Sequence, residues 1–540
     1  MTSEAAVNTS STRRWRSRPR VLVGTCSIAW LALGCGQEEQ TRKESTPDET
    51  SVTAPATSAP RVTAPQPVQS ADKPGSADPA AAPSDTGATP AGSTPPAPAA
   101  QTCDDFVGFD DLYARMQQDL SRQDADDRVF LRYISLANRL NQGACAQELE
   151  FDRLALIKAI NGVSTEASIA LPQAVGSDGA LLRIDLRDLG WDEPIVVDGT
   201  AFTDKWEAII AASEFAVEFE GDQADDLKLK ANTLVPVLNA DALIDVALKD
   251  NLYYEMLGIA ESEDELLEQL GIDEEAQEEQ KVVIRAGTSQ SRLSRQPTVA
   301  ERLELENRQG FYWSRYDLAD GTADQSIFAD PLGFQEDSIL TIFSLPNGLN
   351  AYVIFDGAGL RQTETEVVFD PNEADGAVEN SVSCSGCHAA GLNPITDEVR
   401  AYVQANSRDF DNDEFEEIQD SFLAQPEIDA TLRSDSQIYQ AALRRAGLDG
   451  MTIDPVGSVY VRFDSDVDVA VAAGDLGLTP DDLRDDLTFL SQQVDPQLSV
   501  LRSGSLLRDG FEELYLPALC ALSITSENRP SAAACAAVGQ

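Results

Sequence analysis

The chain has 540 residues, with 40 Lys and Arg against 92 Asp and Glu, for a formal net charge of −52. That length suits two to four folded units and supplies ample material for a core. So acidic a chain argues against nucleic acid or anionic lipid headgroups as partners, and any charged partner is expected to be basic.

Residues 1–34 read as a signal peptide, in which Arg13, Arg14, Arg16, Arg18 and Arg20 precede a short apolar run from Val21 to Leu33. The run is too short to span a bilayer comfortably. It ends Leu31-Ala32-Leu33-Gly34-Cys35, which resembles the lipobox of bacterial lipoproteins, so Cys35 is the expected lipidated residue. Ordinary signal cleavage, with Cys35 incidental, is the competing reading. Residues 35–102 then form a Pro/Ala/Ser/Thr tether holding twelve of the chain's 27 prolines. Such a segment buries too little to offset its ordering entropy, and as a coil it reaches about 45 Å. An exported protein, lipid-anchored on the periplasmic face or cell surface, is the expectation.

Residues 103–280 read as a mainly helical domain. Apolar residues at three-to-four spacing predict helix over 128–140 and over 154–160. Leu182, Ile184 and Leu186 alternate with Arg183, Asp185 and Arg187, which predicts a strand. The acidic run 261–280 is a solvated helical face or loop. Over 281–375 the character turns to β, with strands expected at 339–345 and 349–355 around Pro346-Asn347-Gly348, where Asn-Gly supplies positive φ for a hairpin, and a third strand at 363–369. A haem-binding region (376–460) and a helical C-terminal region (461–540) follow. The expected fold class is α+β, mainly helical, with a small antiparallel β-meander before a cytochrome-c-like haem segment.

That segment contains Ser383-Cys384-Ser385-Gly386-Cys387-His388, the Cys-x-x-Cys-His spacing of covalent haem c attachment. Two residues between the thiols let Cys384 and Cys387 reach the two vinyl-bearing edges of one porphyrin, and the adjacent His388 can turn its imidazole under the iron. His388 is the chain's only histidine. A structural zinc site needs four ligands and finds only distant cysteines; a thiol redox pair lacks the strand-to-helix approach usual for it; a plain disulfide leaves His388 unexplained. The turn after the motif, Gly391 to Pro394, is the expected source of a carbonyl for His388 Nδ1.

With no second histidine, the sixth iron ligand is a methionine, a lysine or an open position. Met451, 63 residues beyond His388 in a loop-like setting, is the candidate, since Met/His ligation suits electron transfer. Cys103 with Cys145, and Cys520 with Cys535, read as disulfides of an oxidising compartment, although other pairings among the four are possible. Asp409, Asp411 and Asp413 mimic a calcium loop but fit a capped acidic helix start better, because Glu414 stands where Gly is needed. Arg285, Arg292 and Arg295 form a basic patch that suits ordinary salt bridges better than haem propionates. No nucleophile elbow, phosphate loop or hydrolase triad is visible.

Four stretches, 182–192, 283–287, 342–349 and 379–388, together resemble a family of exported bacterial proteins with a single cytochrome-c-like motif. The resemblance spans much of 127–476 and implies the haem, carried over onto Cys384, Cys387 and His388 alone; it names no reaction. The expected function is electron transfer by a mono-haem c-type lipoprotein with a basic redox partner. A haem enzyme or small-ligand sensor with an open distal site, and a ligand-binding protein with accessory haem, are the alternatives.

Overall fold

A computed structural model describes residue 103 and residues 105–290, 296–305, 309–318, 326–333, 336–365, 367–368, 378–451, 453–523 and 526–539. The signal segment, Cys35, the tether, Arg292 and Arg295 lie outside the described residues.

The fold is mixed α and β, with largely antiparallel sheets. Leu131–Ser135 (β1) is a strand, where apolar spacing predicted a helix over 128–140. The reason is its central position. It pairs antiparallel with Leu181–Asp185 (β3), which also carries the edge strand Gln173–Ala174 (β2), and parallel with Val237–Asn239 (β4). All five residues are therefore buried. A strand covered on both faces reads as an unbroken apolar run, which periodicity cannot separate from a buried helix. The helix expected at 154–160 is real and longer, Ala146–Gly162 (α1).

The expected meander is larger than its sequence signal. Ile284–Thr288 (β5), Thr298–Glu304 (β6), Phe311–Leu318 (β7), Glu336–Ser344 (β8), Asn350–Asp356 (β9) and Arg361–Gln362 (β10) are bonded each to the next in one six-stranded sheet. The third strand expected at 363–369 is instead divided. Residues 361–362 close the sheet, Glu364–Thr365 pairs with Val378–Glu379, and Phe369 lies outside the described residues. The hairpin at Asn347-Gly348 also differs from expectation, since only Gly348 takes positive φ (85°). The side chain of Asn347 is buried instead. It donates to the Asn161 carbonyl at 2.8 Å and accepts from the Leu349 N–H at 2.9 Å, pinning the turn to α1.

Both faces of this sheet are covered. Tyr312, Tyr316, Phe343, Val353 and Phe355 face the main core, which runs in sequence from Val107 to Ala521. The alternate residues Phe311, Trp313, Ile342 and Tyr352 pack with Ile428 and Leu432 of the long helix Gln425–Arg445. Ala240–Ala247 and Asp250–Leu257 (α2) form a helix pair, and two tyrosines of α2 cap a sheet edge. Tyr253 Oη accepts from the Tyr352 N–H at 3.0 Å and Tyr254 Oη from the Ile354 N–H at 3.1 Å. Both ends of the described region are tied in. Cys103 is bonded to Cys145 and Cys520 to Cys535, and Arg529–Pro530 pairs with Phe219–Glu220. Among the described residues no helix is long and apolar enough to cross a membrane.

Candidate functional site

Chain order brings the motif in from the edge of the six-stranded sheet. After the Val378–Glu379 strand, Ser381 takes φ 60° and ψ −62°, and the Val382 N–H donates to the Asn380 carbonyl at 2.7 Å. This is a γ-turn of the rarer, strained hand, a backbone state retained only where its surroundings over-determine it. It launches the short helix Val382–Cys387 (α3), which places Cys384 and Cys387 three residues apart on one side. Cys384 is half-buried against the apolar residues of the sheet's second face, and Cys387 is exposed; both are thiols. The His388 N–H closes the helix on the Cys384 carbonyl at 2.9 Å.

The geometry of His388 is informative. Its Nδ1 lies 3.1 Å from the carbonyl oxygen of Gly391. A carbonyl only accepts, so Nδ1 carries the proton and Nε2 keeps its lone pair, the form a metal ligand requires. Burial pushes the imidazolium pKa down, and although the Gly391 carbonyl acts against it, the Lys158 and Arg315 charges add to the fall, which favours the neutral ring. The turn that supplies the carbonyl is anchored by Gln425–Arg445 (α4), a helix with Pro426 in its first turn and Arg444 and Arg445 in its last. Ser436 Oγ accepts from the Leu392 N–H at 3.0 Å, and the Gln440 amide donates to the Ala390 carbonyl at 3.1 Å. Gly391 has φ 123°, and a Cβ there would stand 2.9 Å from Ser436, so only glycine brings the turn this close to α4.

A second layer comes from distant sequence. Asp454 caps Pro455–Asp464 (α5), accepting from the Val456 N–H at 2.7 Å. Its other oxygen accepts from Ser385 Oγ, inside the motif, at 2.8 Å and pairs with the buried Lys158 of α1, whose ammonium also donates to Ser385 Oγ at 2.9 Å. Burial alone would lower the Lys158 pKa, but Tyr439 and Asp454 carry it above its ordinary value, so it stays charged. The motif is thus clamped by a desolvated ion pair from α1 and α5. Sequence reading overlooked Lys158, although a lone lysine in the apolar run 154–160 was a usable signal.

Against the motif stands an unusual set of polar groups. Tyr352 of β9 has its ring centroid 6.1 Å from that of His388. The hydroxyls of Tyr352 and Tyr439, and both amide atoms of Asn350, are buried without a well-formed hydrogen bond among the described residues, although Tyr352 faces Asn350 and Tyr439 faces Tyr352 and Lys158. Natural interiors rarely leave such groups unsatisfied. Two thiols one turn apart, a neutral imidazole with a lone pair, apolar walls from Leu340, Ile342 and Ile354, and unsatisfied polar atoms together fit a covalently held haem.

The remaining candidates fall as follows. Met451 lies in the loop between α4 and α5, half-buried against the main core and three residues before Asp454. Arg285 is buried between Glu301 at 2.7 Å and Glu278 at 2.6 Å. Asp411 caps the helix Asn412–Ser421, accepting from the Glu414 N–H at 2.8 Å. Among the described residues no three His, Cys, Asp or Glu side chains converge as a metal chelate, so the cysteines and His388 do not meet at one point. No protein-family model matches the chain, and no curated protein or solved structure is similar to it.

Proposed function

We propose that this chain is an exported mono-haem c-type protein that transfers electrons, as its likeness to single-motif exported bacterial proteins implies. Cys384 and Cys387 would hold the haem through thioether bonds, and His388 Nε2 would bind its iron. The observation that carries this reading is that the chain's only histidine completes the Cys-x-x-Cys spacing with Nδ1 engaged to Gly391, leaving Nε2 available. When bound, the haem supplies a one-electron couple at its iron. The protein's part is positional. Gly391 fixes the imidazole and raises its basicity, the Lys158–Asp454 pair holds α3 through Ser385, and the exposed Cys387 leaves one edge of the site at the surface. Met451 is the proposed sixth ligand, because Asp454 draws the end of its loop onto the motif. Cys35 is the proposed lipid anchor, and the acidic chain suits a basic redox partner.

Denaturing mass spectrometry of protein produced with a cytochrome c maturation system tests the reading. The expected result is a mass increment of one haem, lost when Cys384 and Cys387 are both changed to Ser. An unmodified mass in the wild-type protein would sink it.

A further inference from the structure

The motif histidine is approached from two sides, and one helix face stands behind both. The Gly391 carbonyl fixes Nδ1, and the turn that carries it is bound to α4 through Ser436 and Gln440. A single hydrogen bond fixes one atom and leaves the ring free to rock about it. Beside the imidazole stands the ring of Tyr352, with centroids 6.1 Å apart and planes tilted by 36°, inside the range of an aromatic contact.

Tyr352 is itself held from two directions. Its backbone lies in β9, in register with Ile342 of β8, and its N–H donates to Tyr253 Oη at 3.0 Å. Its side chain is buried, and its hydroxyl faces Asn350 and the hydroxyl of Tyr439. Tyr439 in turn faces the Lys158 ammonium, which lies 5.7 Å from its ring centroid and can only donate. Ser436, Tyr439 and Gln440 stand at i, i+3 and i+4, on one face of α4. That face grips the Gly391 turn with its outer two residues and backs Tyr352 with the one between. The carbonyl on Nδ1 and the aromatic wall are thus tied to one rigid element, which leaves the imidazole a single orientation.

We propose that Tyr352 is the positioning residue that sets the plane of the His388 imidazole, backed by Tyr439 of α4. The geometry stands by itself; its consequence, a fixed imidazole plane at the haem iron, rests on the haem reading.

The test uses the full chain with isotope-labelled histidine, which gives a single imidazole in the NMR spectrum because His388 is the chain's only histidine. In the haem-free protein, Tyr352→Leu is expected to shift the carbon-bound ring protons of His388, since the ring current and the wall are both lost. Tyr352→Phe and Tyr439→Phe keep the rings and break only the hydroxyl contact, so smaller shifts are expected that do not add in the double variant. In the haem-loaded ferric protein, the same variants are expected to change the spread of the haem-methyl proton shifts, which follows the axial imidazole plane, while the haem stays attached. Tyr113→Leu, at a buried tyrosine beside Phe219, removes comparable packing and is expected to leave both spectra unmoved. His388 signals that stay in place in Tyr352→Leu, or that move as far in Tyr113→Leu, overturn the proposal. If Tyr352→Leu does not fold, Tyr352→Phe decides, and an imidazole unmoved by it overturns the proposal equally. Should no haem be attached at all, the functional reading fails, while the haem-free spectra still decide the role of Tyr352.

Discussion

Because a carbonyl can only accept, the contact between His388 Nδ1 and Gly391 sets the tautomer of the imidazole, and the residue that permits the contact is a glycine at φ 123° against Ser436. Gly391→Ala combines a disfavoured φ with a 2.9 Å contact, and is expected to cost about 1–3 kcal/mol in chemical denaturation. A cost below a few tenths of a kcal/mol would mean that the turn relaxes freely. Met451→Ala is expected to lower the reduction potential by on the order of 0.1 V, part of the roughly 0.8 V range that axial ligands span. Unchanged spectra and potential would remove Met451 from the site. The motif itself was legible because covalent chemistry demands fixed local spacing. Lys158, Tyr352 and Tyr439 were not, since they reach the motif from three distant segments and each alone reads as ordinary core.

The motif helix α3 is only six residues long, too short to be stable by itself. It is held by a strained turn at one end, the Gly391 turn at the other, and the Lys158–Asp454–Ser385 cluster between. Lys158→Met leaves Asp454 buried without its counter-charge, and is expected to cost about 3–5 kcal/mol in urea unfolding. Adding Asp454→Asn, which keeps an oxygen for the α5 cap, is expected to recover a large part of that loss. Strict additivity of the two substitutions would show that the ion pair is not coupled. Strand β1 is likewise decided by partners outside its own segment. Its five buried residues lie between β3 and β4, and the partners that decide strand over helix are 46 or more residues away in sequence (Ser135 with Leu181). The enlarged meander has a similar cause, because β5 and β6 carry the buried charges Arg285, Glu301 and Arg302, which mask an apolar alternation.

Across the whole described chain, early and late sequence interlock. Asn528 donates to Asp110, Arg529–Pro530 adds a strand beside residues 219–220, and the Cys520–Cys535 bridge braces that return over a separation of 15 residues. Changing both cysteines to Ser is expected to cost about 3 kcal/mol in thermal or chemical unfolding. One buried acid and one half-buried acid set a pH dependence. Burial, with Asp241 adding to it, pushes Asp475 up from 3.8 to about 6, and burial with Asp245 pushes Glu512 up from 4.5 to about 7. In each case the folded state keeps its proton after the unfolded chain has lost it, so these groups contribute stability at low pH that is lost as pH rises from about 4 to about 7. Glu512→Gln is expected to flatten the upper part of that decline in melting temperature against pH; an unchanged slope would contradict its role.

Whether Cys384, Cys387 and His388 hold a haem is decided by a pyridine haemochrome spectrum. The sample is protein made in a host with cytochrome c maturation and extracted with acidified acetone beforehand. One haem per chain is expected to remain with the protein and to give the spectrum of a haem attached through two thioethers. A colourless protein, with any haem recovered in the solvent, would contradict it.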